Sequence, residues 1–364
     1  MIAGCLALAL ALATDGQAGQ TTPSPFELVR AQARLSGIYA LIDAGAFAEA
    51  ARQAEAAEAA APSAALRSEA AFLLATARLR LGDAPGALQA AARADGHDRI
   101  AVLTLLGDAA LRSGDVQAAA DRFAEAYERA QAEGRSEAPG LLASMASARL
   151  AGGDPQTALR LSEAALQRMP EGEAVQRLFA AEVRAVALDR LGAPLDASQA
   201  FDAIALRRAS LQGADHPATL FAAFNAASAL FEGRRFQDAL ERREALLQRT
   251  VAALGEDHPL TALALENAAE SRREAGLAAA AGDAHARAVA IYASAPGAGG
   301  AAGARARSAY GLHLLETGSP RLALDQLRRA FQAAPDGFAD SGEIDRREAA
   351  RRLVEAAYAV ASQR

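Results

Sequence analysis

Small and apolar residues recur along the chain at a fixed interval. Gly192, Arg234, Gly276 and Gly318 stand 42 residues apart, and Ala197, Ala239, Ala281 and Ala323 follow each of them by five. Each interval predicts two helices. The first ends at a small or polar turn, and the second opens with an alanine where the pair approaches most closely, a point at which a bulkier side chain would force the helices apart. Upstream the interval shortens, but the order of residues persists. Gly45-Ala-Phe47-Ala-Glu-Ala50 with Ala57 and Pro62, Gly82-Asp83 with Ala87 and Ala94, Gly114-Asp115 with Ala119 and Ala126, and Gly153-Asp154 with Ala158, Ala165 and Pro170 mark four further turns. The last unit carries Gly311, Gly318, Ala323, Ala330 and Pro335, so eight helical pairs are predicted. Such a pair cannot bury its apolar face alone and must stack on its neighbours, so the array needs a cap. Residues 340–364 fit that role. Asp340 and Glu343 form a capping-box pair, Ile344, Leu353, Val354, Ala357 and Tyr358 make an apolar stripe, and Arg346, Arg347, Arg351 and Arg352 are expected to face solvent.

The pattern differs at the start. Met1 to Ala13 is an uncharged apolar run of 13 residues followed by a polar stretch, and residues 1–25 read as a leader and linker. As a helix the run would reach about 20 Å, short of the roughly 30 Å of a bilayer's apolar core. It fits a signal-peptide core better, with small residues at cleavage spacing in Ala11-Leu12-Ala13 and Gly16-Gln17-Ala18 but without a basic segment before it. Ile2-Ala3-Gly4-Cys5 also resembles a lipobox. A start upstream of Met1 would complete either a signal or a transmembrane helix. Export or membrane anchoring is the expectation, with a periplasmic location in a Gram-negative bacterium and the cytoplasm as the alternative.

Composition narrows the chemistry. Of 364 residues 104 are alanine, none is lysine and none tryptophan, which favours helix over strand. All 38 basic residues are arginine, which excludes a Walker A lysine, a pyridoxal Schiff base and a protein-kinase ATP lysine. The net charge of -6 argues against a nucleic-acid partner, which requires a basic face. With one cysteine, Cys5, no intramolecular disulfide forms.

A second motif sharpens the repeat. The segment Leu211 to Thr219, which contains Gly213, His216 and Pro217, recurs as Leu254, Gly255, His258, Pro259 and Thr261. His216 and His258 are again 42 apart. Asp215 and Asp257 are expected to cap the following helices, with Pro217 and Pro259 in the first turn. These residues resemble the inter-repeat loop Leu-Gly-x-x-His-Pro-x-Thr-Leu of the tetratricopeptide repeat (TPR) family, in the 42-residue form of kinesin light chains. The resemblance covers roughly residues 27–335 and implies an all-α, right-handed α-solenoid of about eight TPR units with a C-terminal capping helix. Residues 26–173 would hold four divergent units and residues 174–339 four of 42-residue period. The tryptophan and most tyrosines of the family pattern are missing.

Catalysis finds no support in the sequence. His97, His216, His258, His285 and His313 are scattered, no HExxH, CxxC or HxH spacing suggests a metal, and there is no G-x-S-x-G elbow. No cofactor is expected. The glycine-rich segment 296–303 reads as a flexible connection, since no lysine accompanies it. The remaining candidate is a surface. In TPR proteins the first helix of each pair lines the concave face, so the resemblance implies a protein or peptide ligand held there. The only two asparagines, Asn225 and Asn267, are 42 apart, at the position where peptide-binding TPR proteins often hold a ligand's backbone or terminal carboxylate. Phe221, Phe224, Ser228 and Phe231, then Glu266, Glu270 and Arg273, and Glu182, Val186 and Arg190 are placed on the same face, with Phe221 exposed. The expected role is a non-catalytic adaptor. The alternative is a sensory or docking segment of a membrane-bound bacterial signalling system. The oligomeric state is left open.

Overall fold

The computed structural model describes residues 23–294, 300–333 and 346–362. The expected leader, the capping-box residues Asp340 and Glu343, and Ile344 lie outside them. Every regular element among the described residues is a helix, and sixteen of the helices follow one another as eight pairs, each joined by a short turn. These are α1 (Pro25–Asp43) with α2 (Phe47–Ala59), α3 (Ala64–Arg80) with α4 (Ala84–Ala91), α5 (Arg99–Arg112) with α6 (Val116–Ala132), and α7 (Ala138–Ala151) with α8 (Pro155–Arg168). Then follow α9 (Ala174–Arg190) with α10 (Pro194–Gln212), α11 (Pro217–Glu232) with α12 (Phe236–Leu254), α13 (Pro259–Glu274) with α14 (Ala278–Ser294), and α15 (Ala301–Glu316) with α16 (Pro320–Ala333). A last helix, α17 (Arg346–Ser362), packs on α15 and α16. The chain divides into two compact units, residues 1–183 and 184–364. No helix among the described residues is long and apolar enough to cross a membrane.

The eight turns share one backbone device. The residue at each predicted turn has positive φ, and seven of the eight are glycine. The eighth is Arg234, the one described non-glycine residue with positive φ, at 59°. It must adopt that conformation because Arg234 N donates to Phe231 O at 2.9 Å and Arg235 N donates to Leu230 O at 2.9 Å, the pair of bonds that closes the end of α11. In the glycine-aspartate turns the aspartate then starts the next helix. Asp83, Asp115 and Asp154 accept from Gly86 N, Ala118 N and Thr157 N at 2.9, 3.0 and 3.0 Å.

The helices of each hairpin meet at the predicted small residues. Ala50, Ala87, Ala119, Ala158, Ala197, Ala239, Ala281 and Ala323 are all fully buried. Where a bulky side chain enters, its opposite number is glycine. A Cβ on Gly107 would lie 2.5 Å from the Phe123 ring, and one on Gly311 would lie 2.6 Å from Leu327 Cγ.

Two expectations need correction. The histidine-proline loops are capped by the histidines themselves, not by Asp215 and Asp257. His216 Nδ1 accepts from Ala218 N at 3.2 Å and His258 Nδ1 from Leu260 N at 3.0 Å. The imidazole is the side chain directly before the helix-opening proline, so it reaches the free amides, while Asp215 accepts from Arg249 Nε at 2.6 Å. The threonines close the loop from the other side, Thr219 Oγ1 donating to Gly213 O at 2.9 Å and Thr261 Oγ1 to Gly255 O at 2.7 Å. The second correction concerns α17. Val354 and Tyr358 are 68% and 76% exposed, so the expected stripe is not what α17 buries. It buries Ala349 and Ala356, and Arg352 is drawn inward to donate to Ser308 Oγ at 2.8 Å. The alanine face wins because it permits close approach and leaves the buried Ser308 hydroxyl satisfied.

Arg234→Gly is expected to raise stability by about 1 kcal/mol, by relieving the left-handed conformation of a residue with a Cβ. A rise in the urea midpoint checks this. Gly311→Ala is expected to lower the same midpoint, by about 1–3 kcal/mol, because its Cβ meets packed Leu327.

Candidate functional site

The face built by the first helices α11, α13 and α15 carries the sequence candidates of the C-terminal unit. Asn225 on α11 and Asn267 on α13 are both half-buried, and neither side-chain amide is engaged by another described residue. Helices α11 and α13 touch directly, as well as through α12. Phe221 is 49% exposed, as expected, whereas Phe224 is buried in a cluster with Leu220, Ala227 and Leu246 and is a core residue. Phe231 is half-buried with its ring 5.1 Å from that of Phe236.

Glu266, Asn267, Glu270 and Arg273 converge on one cavity of about 400 Å³ between α13 and α15. Helix α15 supplies Arg305, His313 and Glu316 to its wall, and α14 supplies His285. Leu263, Ala309 and Leu312 make the apolar part. Arg190, Phe221, Asn225 and Ser228 lie outside this cavity, on α9 and α11.

The cavity's charges are internally matched. Arg305 Nη2 lies 2.8 Å from Glu266 Oε2, and Tyr292 Oη donates to the same oxygen at 3.3 Å. Burial pushes the Glu266 carboxyl up, and Arg305 opposes that shift. For Arg305, burial alone would lower the guanidinium, but the Glu266 carboxylate more than offsets it and holds it above its usual range. Arg273 stands 3.9 Å from Glu316, both partly exposed.

The sequence reading did not single out Arg243. It sits on the second helix α12, is 2% exposed, and reaches across to the first helices. Its Nη1 donates to Asn267 O, Glu270 Oε2 and Ser271 Oγ, each at 3.0 Å, and its Nη2 to Ser228 Oγ at 3.4 Å. Its guanidinium also lies 4.5 Å from the centre of the Phe231 ring. Arg243 therefore fixes the backbone of Asn267 and the rotamer of Glu270. The signal was in the spacing, because Ala239, Arg243, Leu246 and Thr250 form one buried stripe of α12.

His285 and His313 are buried with ring centres 5.5 Å apart, and the Nδ1 of each has no hydrogen-bond partner among the described residues. Burial, then His313 and Arg273, pull the His285 imidazole down to about 4. Among the described residues no group of three or more His, Cys, Asp or Glu side chains is placed to hold a metal ion. The arrangement offers hydrogen bonds and charge, with an amide standing open.

A histidine held neutral by its surroundings destabilises the fold when it must be protonated. Because the imidazole titrates lower in the folded chain than its usual 6.5, its contribution is complete above pH 6.5 and is lost as pH falls toward 4. The loss expected over that window is about 3 kcal/mol. Thermal melts at pH 7, 5.5 and 4.5 check this, and His285→Leu is expected to flatten the decline.

No family model matches the chain, and no curated protein matches it in sequence. Solved structures do. The apo form of RapI aligns with a TM-score of 0.63 at 13% identity, covering 91% of this chain and 98% of that one. A Rap protein complexed with competence and sporulation factor aligns with a TM-score of 0.55 at 14% identity, covering 92% and 99%. The signal transduction ATPase PH0952 of Pyrococcus horikoshii, which has a tetratricopeptide repeat sensor, aligns with a TM-score of 0.61 at 12% identity. The alignment covers 84% of this chain and 46% of that ATPase. At these identities the likeness is one of fold, and the fold is that of a tetratricopeptide repeat solenoid.

Proposed function

We propose that the chain is a non-catalytic adaptor that binds an extended peptide or a partner helix on the first-helix face of its C-terminal unit. The observation that carries this reading is the open amide of Asn267, half-buried at a cavity whose other polar side chains are largely matched to one another. An amide supplies one acceptor and two donors, the complement of a peptide backbone. Asn225 repeats the arrangement one unit earlier, so the two can hold successive stretches of one ligand. Arg273 and the exposed Phe221 ring add the kind of anchors on which interfaces concentrate their affinity. The Rap protein whose structure holds competence and sporulation factor is a precedent for a ligand on this fold.

A second reading, a sensory or docking segment of a signalling system, is favoured by the likeness to the repeat sensor of the Pyrococcus horikoshii ATPase. On either reading the apolar run at Met1 to Ala13 directs export or membrane anchoring, with the periplasm as the proposed location. An in-frame kinase or DNA-binding region upstream of Met1 would favour the signalling role.

Replacing Asn225 and Asn267 together by alanine is expected to weaken capture of the partner about 10-fold or more, since two buried hydrogen-bonding groups of the ligand lose their match. The melting temperature should stay nearly unchanged, because neither amide is bonded to another described residue. Quantitative pull-downs from the native host check this, and an unchanged set of partners removes these asparagines from the binding site.

A further inference from the structure

The N-terminal unit has a larger opening that the sequence did not suggest. It is a groove of about 810 Å³ along the first helices α3, α5, α7 and the start of α9. Its walls are largely apolar. Ile100, Leu105, Leu141 and Met169 form the buried part, and Val175 and Phe179 stand at the rim, 75% and 41% exposed. Two hydroxyls that line it are already spent, Thr76 Oγ1 donating to Phe72 O at 2.9 Å and Thr104 Oγ1 to Ile100 O at 2.8 Å.

Asp108 of α5 projects into this groove. Its carboxylate is half-buried and makes no hydrogen bond or ion pair with another described residue. Burial raises its carboxyl to about 6, opposed at a distance by Arg112 and Arg80. The other charges of the groove differ from it. Arg135 is held by Asp98 at 2.7 Å and by Glu137 at 2.9 Å, while Arg80 and Glu173 are exposed at its edge. A desolvated carboxylate without a hydrogen-bonded partner is costly, and a cation brought to it with apolar surface would recover the interaction that water no longer supplies. Exposed Val175 and Phe179 mark where the apolar side chains of such a segment would rest.

We propose that this groove binds a short apolar peptide segment carrying a lysine or arginine, whose cationic group pairs with Asp108. The site is separate from the asparagine face of the C-terminal unit and does not depend on it. Arg80, exposed and without an ion-pair partner among the described residues, is placed to receive an acidic side chain of the same segment.

The test is a display selection of random 12-residue peptides against the full chain. Binders are assigned to this groove if Phe179→Glu abolishes them. Among these the expected result is enrichment of one basic residue flanked by apolar ones, with affinity falling about 10-fold or more in Asp108→Asn and partly kept in Asp108→Glu. The asparagine variant is isosteric and removes an unpaired charge, so circular dichroism and melting should match or exceed the parent chain. Carbon NMR of the Asp108 carboxyl should show its titration moving to lower pH when a selected peptide is bound. The proposal is overturned if no selected peptide is sensitive to Phe179→Glu, if the sensitive ones lack a basic residue, or if Asp108→Asn binds them unchanged.

Discussion

The structure depends on how closely two helices of a hairpin can approach. With alanine at the contact, the backbones come together with nothing larger than a methyl group between them, and that spacing is set at Ala50, Ala87, Ala119, Ala158, Ala197, Ala239, Ala281 and Ala323 alike. The left-handed turn residue five positions earlier aims the second helix back along the first, so turn and contact act as one device. Two large residues enter where the opposite helix yields, Phe123 over Gly107 and Leu327 over Gly311. Each alanine buries little apolar surface, at about 0.8 kcal/mol per buried methylene-sized group. A single hairpin is therefore weak, and stability accumulates by stacking of neighbouring helices within each unit.

A thin apolar core leaves room for polar groups to structure it. Ser198 Oγ donates to Ala226 O at 2.9 Å, Ser68 Oγ accepts from Gly96 N at 2.8 Å, and Arg243 ties α12 to α11 and α13. A buried guanidinium is no bargain in stability, since desolvation opposes its bonds, and its Nε goes without a partner. Its worth lies in position. It holds the carbonyl of Asn267 and the carboxylate of Glu270, so the open amide is presented from a fixed backbone.

How much of this was legible depends on the kind of signal. The turns and contacts were readable because each requires one residue type at one spacing, as Gly192 with Ala197 shows. The cavity residues Glu266, Asn267, Glu270 and Arg273 were readable because they share one helical face. The histidine caps were missed because aspartate is the commoner cap, and only the backbone geometry before Pro217 and Pro259 decides which side chain reaches the amides. Arg243 was passed over because a charged residue on a second helix is ordinarily solvated, although its stripe with Ala239 and Leu246 pointed inward. The seating of α17 was misread for a related reason. Large apolar residues there suggested the buried face, whereas alanine and Arg352 fit α15 and α16 more closely. Asp108 carried no local signal, since its isolation comes from residues of four helices.

The two units apply the same hairpin to different ends. In both, the second helices carry the alanine contacts and the first helices supply most of the side chains that line the openings. In the C-terminal unit that face gathers an amide, two imidazoles and ion pairs that hold one another. In the N-terminal unit it gathers apolar side chains around Asp108, whose carboxylate has no hydrogen bond or ion pair among the described residues and feels Arg112 and Arg80 only at a distance. A surface whose charges are already matched discriminates by shape and by hydrogen bonds, and one with an unmatched charge discriminates by sign. The same fold thus carries two chemically distinct faces, one with its charges matched to one another and one with a carboxylate left without a hydrogen-bonded partner among the described residues.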